Sequence, residues 1–348
     1  MLQCIPKNII IRMPNWIVDF VMATTILPEI RKKFPSAKIT AMCKDPLGSL
    51  LQKDPNIDEL FCFHKPTKNL FQRKERKSII EKLKMGQYDL GILLTNSFSS
   101  AWWFWLGQVK YRLGYQAHFR KLLLNLPVPF PKTLKNQHQI LSYKMLLESL
   151  DIPVTQTKPY LYISADEVTV AKKLLTQRGY EEGFPLVGMH ASAAYGKAKC
   201  WPQSKFQELA KKLLEENPSL YIVFFGDSFA SSTVKEIVAS LSERAINLAG
   251  KTSLRDLGAL LRSCKVFLTN DSGPMHMAAA LQVPTVALFG STSDILTGPE
   301  YGEKAIVINK KVSCSPCFKR ECVRDFLCMK SIDVEEVLSH VKSFLKDG

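Results

Sequence analysis

The sequence predicts an α/β protein built from two doubly wound domains that face each other across a cleft. Three observations predict it. Short, β-rich apolar runs alternate with helical patterns along the chain, the series occurs twice, and the 348 residues exceed what one ordinary core encloses.

In the first half, runs at Asn8–Ile11, Lys38–Met42, Glu59–Phe63 and Asp89–Leu94 are bounded by polar residues or proline, as buried parallel strands are. Helical patterns lie between them at Phe20–Phe34, Pro46–Lys53 and Phe71–Met85, and another spans His138–Leu150. That last pattern stops before Ile152-Pro153, where proline disfavours continued helix, and a boundary is expected near residues 151–165. The second half repeats the scheme. Strands are expected at Pro185–His190, Tyr221–Gly226, Lys265–Thr269, Thr285–Phe289 and Lys304–Ile308. Helices are expected at Asp166–Gln177, Ser204–Asn217, Ser231–Ser242, Ser253–Ser263 and Pro274–Leu281. The domains therefore read as residues 1–160 and 161–348, with a closing helix over about 333–346 placed to pack back on the first domain.

Composition narrows the class. With 46% hydrophobic and 23% charged residues the chain is globular. No apolar run reaches the roughly 18 residues that cross a bilayer, and Met1 to Arg12 lacks a signal peptide's apolar segment, so a cytoplasmic location is expected. Nine cysteines in a chain of this length predict reduced thiols. Of the net charge of +15, residues 1–160 carry +13, with 24 basic against 11 acidic residues. Such an asymmetry predicts an anionic partner for the first half: a phosphorylated substrate, nucleic acid or an anionic membrane surface. No nucleic-acid motif accompanies it, and nucleic acid is not expected.

Ligands of doubly wound sheets sit beyond the carboxyl ends of strands, where loops enter helix N-termini. Three such loops carry chemistry. The first, after the first strand, presents Asn15, Trp16 and Asp19, and a carboxylate there can accept a proton from a hydroxyl or simply favour the helix dipole. The second, His190 to Pro202, combines small residues, the Ser192 hydroxyl, Lys197 and Lys199, a set suited to a pyrophosphate. The third, Thr269 to His276, can present the Ser272 and Gly273 N–H groups at a helix start, with His276 in the first turn and Asp271 able to cap the helix or bind a sugar hydroxyl. An activated donor in the second domain, and an acceptor and base in the first, is the logic of a two-domain glycosyltransferase.

These segments, Asn15-Trp16-Ile17-Val18-Asp19, Ala193 to Pro202, Asn270 to His276 and Ala287 to Thr292, resemble those of the ADP-heptose:lipopolysaccharide heptosyltransferases of glycosyltransferase family 9. The run Cys314-Ser315-Pro316-Cys317-Phe318-Lys319-Arg320-Glu321-Cys322 is similar to the subgroup adding the second heptose. The resemblance implies a GT-B fold and an inverting transfer from ADP-L-glycero-D-manno-heptose to a lipid-linked inner-core acceptor, without cofactor or divalent metal. It makes Asp19 the base and Lys199 the cation on the donor diphosphate. It sets Ser192 facing the phosphates, Asp271 on the heptose, and Ser272, Gly273 and His276 at the phosphate-binding helix terminus. Asn15, Trp16 and Arg120 are the acceptor-side candidates. Val18 stands where the family usually has glycine, which keeps a catalytically impaired nucleotide-sugar binder as an alternative, beside a family 9 transferase using another nucleotide sugar.

Two features remain open. Cys314, Cys317, Cys322 and Cys328 have a spacing compatible with a zinc knuckle, or, with Pro316, Lys319 and Arg320, belong to a donor-flanking loop. The run Trp102-Trp103-Phe104-Trp105 cannot turn four aromatic side chains to one interior, so part of it is expected at the surface, near a lipid-linked acceptor or a membrane.

Overall fold

The alternation of buried runs and helices condenses into two parallel sheets. The computed structural model describes residues 4–64, 71–299 and 302–346, apart from the side chains of residues 71–73. It divides into two units, Met1–Tyr162 and Ile163–Gly348.

The first unit runs β1 (Asn8–Arg12), α1 (Ile17–Ala23), α2 (Leu27–Lys33), β2 (Lys38–Lys44), β3 (Glu59–Phe63), α3 (Phe71–Met85), β4 (Leu90–Leu93), α4 (Phe98–Leu106), β5 (Tyr111–Tyr115), β6 (Leu126–Val128) and α5 (Ile140–Leu146). Its strands pair in parallel in the order β3-β2-β1-β4-β5-β6. The three isoleucines of β1 are wholly buried because helices cover both faces of the sheet. The pattern read as one helix over Phe20–Phe34 is α1 and α2 joined by a 3-10 turn at Thr24–Ile26, after which Pro28 occupies the second position of α2, where a missing N–H costs nothing. Strands β5 and β6 escape the sequence pattern. Tyr111-Arg112 opens β5 at intermediate burial, and β6 is a three-residue strand containing Pro127.

The second unit runs α6 (Ala165–Thr176), β7 (Leu186–His190), α7 (Gln203–Glu216), β8 (Tyr221–Phe225), α8 (Ser231–Val238), β9 (Ala245–Asn247), α9 (Leu254–Leu261), β10 (Val266–Asn270), α10 (Gly273–Ala280), β11 (Thr285–Phe289), α11 (Asp294–Thr297), β12 (Ala305–Asn309), α12 (Leu327–Lys330) and α13 (Val334–Lys346). The parallel order is β12-β11-β10-β7-β8-β9. Helix α13, expected over about residues 333–346, forms over Val334–Lys346. Its apolar stripe, Val334, Val337, Leu338 and Val341, joins the second unit's own core with Trp201, Phe206 and Met329. An amphipathic helix goes where the largest adjacent apolar surface lies, and α7 with β10 and β11 offers it here.

In both sheets the strand order reverses between the first and fourth strands, β1 beside β4 and β7 beside β10. At such a switch point the connections leave on opposite faces and open a crevice past the carboxyl strand ends. The loops singled out above leave from these strands.

Candidate active site

In the first unit, the loop from β1 and the start of α1 meet the residues after β4 and the helix α5. They enclose a pocket of about 290 Å³ lined by Asn15, Trp16, Asp19, Asn96, Gln139 and Tyr143 among others. Asp19 lies in the first turn of α1, where the helix dipole favours a carboxylate. Its Oδ1 accepts a hydrogen bond of 3.1 Å from the Tyr143 hydroxyl. Burial raises the Asp19 pKa above the ordinary carboxylate value, and the Tyr143 hydrogen bond partly opposes that rise. Val18 has helical backbone in the same turn and is absent from the positive-φ residues, so the β-branched side chain sits there without backbone strain. Trp16, 66% exposed, is the N-cap residue, and its ring is free to meet a sugar face.

Two buried guanidinium groups frame this pocket. Arg12 donates to Asn15 Oδ1 at 2.7 Å, contacts the Met13 carbonyl and lies 4.6 Å over the Phe63 ring. Arg120, expected on the acceptor side, is corrected in its role. It is wholly buried behind the pocket wall, donating to the carbonyls of Tyr115 and Thr95 and to Asn96 Oδ1. Its fork is consumed in shaping the pocket rim, so it acts on the site through Thr95, Asn96 and Tyr115. Burial lowers both arginine pKa values to about 10, which leaves them cationic at neutral pH.

In the second unit, the loop after β7 and the turn after β10 meet. Lys199 Nζ lies 2.5 Å from Asp271 Oδ2, with 11% and 2% of the side chains exposed. The sequence reading assigns these two residues separate tasks, and the structure makes them one ion pair. Thr292, which the residue pattern did not single out, donates to the same Asp271 oxygen at 2.5 Å. Asn270 Oδ1 accepts from the Trp201 N–H at 2.9 Å, and the Trp201 ring is 1% exposed, so the loop carrying Lys199 is anchored in the core on one side. Ser272 caps α10, its Oγ accepting from the Met275 N–H, while Pro274 has no N–H to offer. Gly273 therefore stands first in the helix with an N–H placed for an anion. Ser192, half-buried, lies 3.3 Å from His190 Nε2. His276 is wholly buried one turn into α10, within the wall of the site and not on its surface. Burial lowers the His190 pKa to about 4, so that ring is neutral at physiological pH.

The cysteine-rich loop belongs to this same end of the sheet. Ala198 N–H donates to the Arg320 carbonyl at 3.0 Å, and Phe318 N–H donates to the Ser291 carbonyl at 2.7 Å. All nine cysteines are free thiols, and among the described residues no three His, Cys, Asp or Glu side chains are arranged to hold a metal ion. Cys322 Sγ accepts from the Arg324 and Phe326 N–H groups at 3.4 and 3.1 Å.

With this geometry in view, comparison with known proteins is informative. The model of glycosyltransferase family 9 (heptosyltransferase) matches residues 76–327. A lipooligosaccharide heptosyltransferase 2 of Haemophilus ducreyi is 32% identical over 316 residues, covering 86% of this chain and 88% of its own. The lipopolysaccharide heptosyltransferase 2 of Escherichia coli K12 is 30% identical over 305 residues, covering 85% and 86%. The solved structure of the E. coli ADP-heptose lps heptosyltransferase II superposes with a TM-score of 0.84 at 27% identity, over 98% of this chain and 99% of that one.

Proposed function

Since this chain belongs to glycosyltransferase family 9, the heptosyltransferases, we propose that it moves heptose from an ADP-heptose donor to the inner core of lipopolysaccharide, adding the second heptose. Each half of the reaction has its residues in one unit. In the second unit the donor diphosphate lies against Lys199 and the amino end of α10, with the sugar beside Asp271 and Thr292. In the first unit the acceptor saccharide occupies the pocket of Asn15, Trp16 and Asn96, its hydroxyl directed to Asp19. Asp19 takes the hydroxyl proton, the oxygen attacks the anomeric carbon, and the bond from that carbon to the diphosphate oxygen breaks with inversion. The electron pair leaves with ADP. The charge growing on ADP is met by Lys199 and the helix terminus, which takes the part a divalent cation plays at other phosphate sites.

The observation that carries the reading is the buried Lys199–Asp271 pair at the start of α10. A buried charge pair is costly unless well satisfied, and one placed at a strand-to-helix turn with an adjoining anion site serves binding better than stability. The test is ADP release from ADP-heptose with a truncated core acceptor. Wild type should turn over, and Asp19→Asn should lose about 10²- to 10⁴-fold in kcat while still binding ADP. Wild type that binds ADP without turnover would leave a binding protein. Turnover only with another nucleotide sugar would leave a family 9 enzyme of different donor.

We also propose that the enzyme works at the membrane surface. Among the described residues no helix is long and apolar enough to cross a bilayer. Helix α4, however, exposes Trp102 and Trp105 while burying Phe104, and it contacts the 3-10 turn Arg120–Leu123, where Leu122 and the preceding Phe119 stand over 90% exposed.

A further inference from the structure

The cysteine-rich loop does more than flank the site. It is held against the loop after β7 at two points and against the end of β11 at a third. Tyr195 Oη donates to the Phe318 carbonyl at 2.7 Å, the Ala198 N–H donates to the Arg320 carbonyl at 3.0 Å, and Ser315 Oγ donates to the Gly290 carbonyl. Gly196 permits the contact: its φ is +155°, and a Cβ there would collide with the Arg320 carbonyl group. Between these anchors Arg320 has little freedom in its backbone, yet its side chain reaches solvent. The guanidinium lies 5.3 Å from the centroid of the Tyr195 ring, and Lys199 Nζ lies 4.8 Å from the same centroid. One aromatic ring therefore orients two cations, of which Lys199 is already paired with Asp271. Among the described residues Arg320 has no carboxylate within salt-bridge distance, and Lys197 and Lys319 on the same two loops have none either. A charge fork held by its backbone, stacked on a ring and lacking an acid partner suits a dianionic oxygen cluster.

We infer that Arg320 is a second cationic ligand of the donor diphosphate, positioned by Tyr195 and complementing Lys199. The inference rests on the reading of the second unit as the ADP-sugar site. It adds that the loop from Cys314 to Cys322 is part of that site's wall, with Tyr195 as a positioning residue and Gly196 as the point of closure.

The test is calorimetric titration of the full chain with ADP, AMP and adenosine. For wild type, affinity should rise with each phosphate. Arg320→Ala should weaken ADP by about tenfold, the scale of one charge-assisted hydrogen bond, and leave adenosine unchanged. Arg320→Lys should recover part of the loss, since a lysine keeps the charge but not the fork. Tyr195→Leu should reproduce the selective loss of ADP by releasing the guanidinium. Equal ADP binding by wild type and Arg320→Ala overturns the inference while leaving the donor site intact. A loss shared equally by adenosine also overturns it, because the effect would then be on folding. Failure of wild type to bind ADP would overturn the donor-site reading itself.

Discussion

Asp19 is under two opposed influences, and their balance sets how it can act. Removal from water raises its pKa, and the Tyr143 hydroxyl, by bonding to the ionised form, lowers it. A carboxylate whose pKa is raised in this way is a stronger base than an exposed one. Because its folded pKa lies above the unfolded value, the ionised form costs stability as pH rises through the folded pKa. Asp19→Asn should therefore melt higher than wild type at pH 7 by scanning calorimetry, while losing transfer; a lower melting temperature would contradict the burial argument. Tyr143→Phe removes the one side-chain bond that lowers the pKa, so the acid limb of the kcat–pH profile should move to higher pH. A limb that stays in place would show that Tyr143 does not touch the base in the working enzyme. The place of Asp19 at the passage from strand to helix was legible in the sequence, although a carboxylate in a first helical turn can also simply favour the dipole. Tyr143 was not, being 124 residues away, and neither was the hydroxyl of Thr292 on Asp271. Only folding brings those side chains within reach.

At the scale of elements, loops carry the chemistry and rigid pieces hold the loops. The loop bearing Lys199 is pinned through Trp201, whose indole N–H donates to the Ile332 carbonyl at 3.1 Å just before α13. Helix α13 thus supports the loop bearing Lys199 from behind through its packing on α7. Leu338→Ala, in the buried stripe of α13, should cost about 2–5 kcal/mol in denaturant unfolding, with ADP affinity of the folded fraction unchanged. A loss below about 1 kcal/mol, the level of a surface change, would mean that α13 is dispensable to the core. Strands whose residues are uniformly apolar, such as β7, β8 and β11, were legible from their runs. Strands β5, β6 and β9 were not, because they are short or half-polar and owe their pairing to the neighbouring strand.

For the whole molecule, the proposal of a membrane-surface enzyme rests on charge and exposed aromatic surface. The first 160 residues hold +13 of the +15 net charge. Trp102 and Trp105 are 44% and 51% exposed, and Lys110, Lys121, Lys132 and Lys135 are exposed in the same unit. Tryptophan at a headgroup boundary and lysine toward anionic lipid act together at a membrane surface. In liposome flotation the protein should rise with vesicles containing phosphatidylglycerol and stay down with phosphatidylcholine alone. Changing Trp102 and Trp105 together to serine should weaken the flotation. Equal behaviour with both vesicle types would dismiss the membrane reading.

By itself the sequence determined the α/β class, the twofold repetition of the scheme and the family, and it marked three strand-end loops as candidates for the chemistry. These follow from local periodicity and from short motifs, which survive in one dimension. The tertiary structure alone decided that Lys199 and Asp271 form a pair, that Arg120 shapes the pocket from behind, and that the cysteine-rich loop closes on Tyr195 and Gly196. Each of those is a contact between residues far apart in the chain. Such a contact depends on burial and on the path of the backbone, which no local pattern encodes.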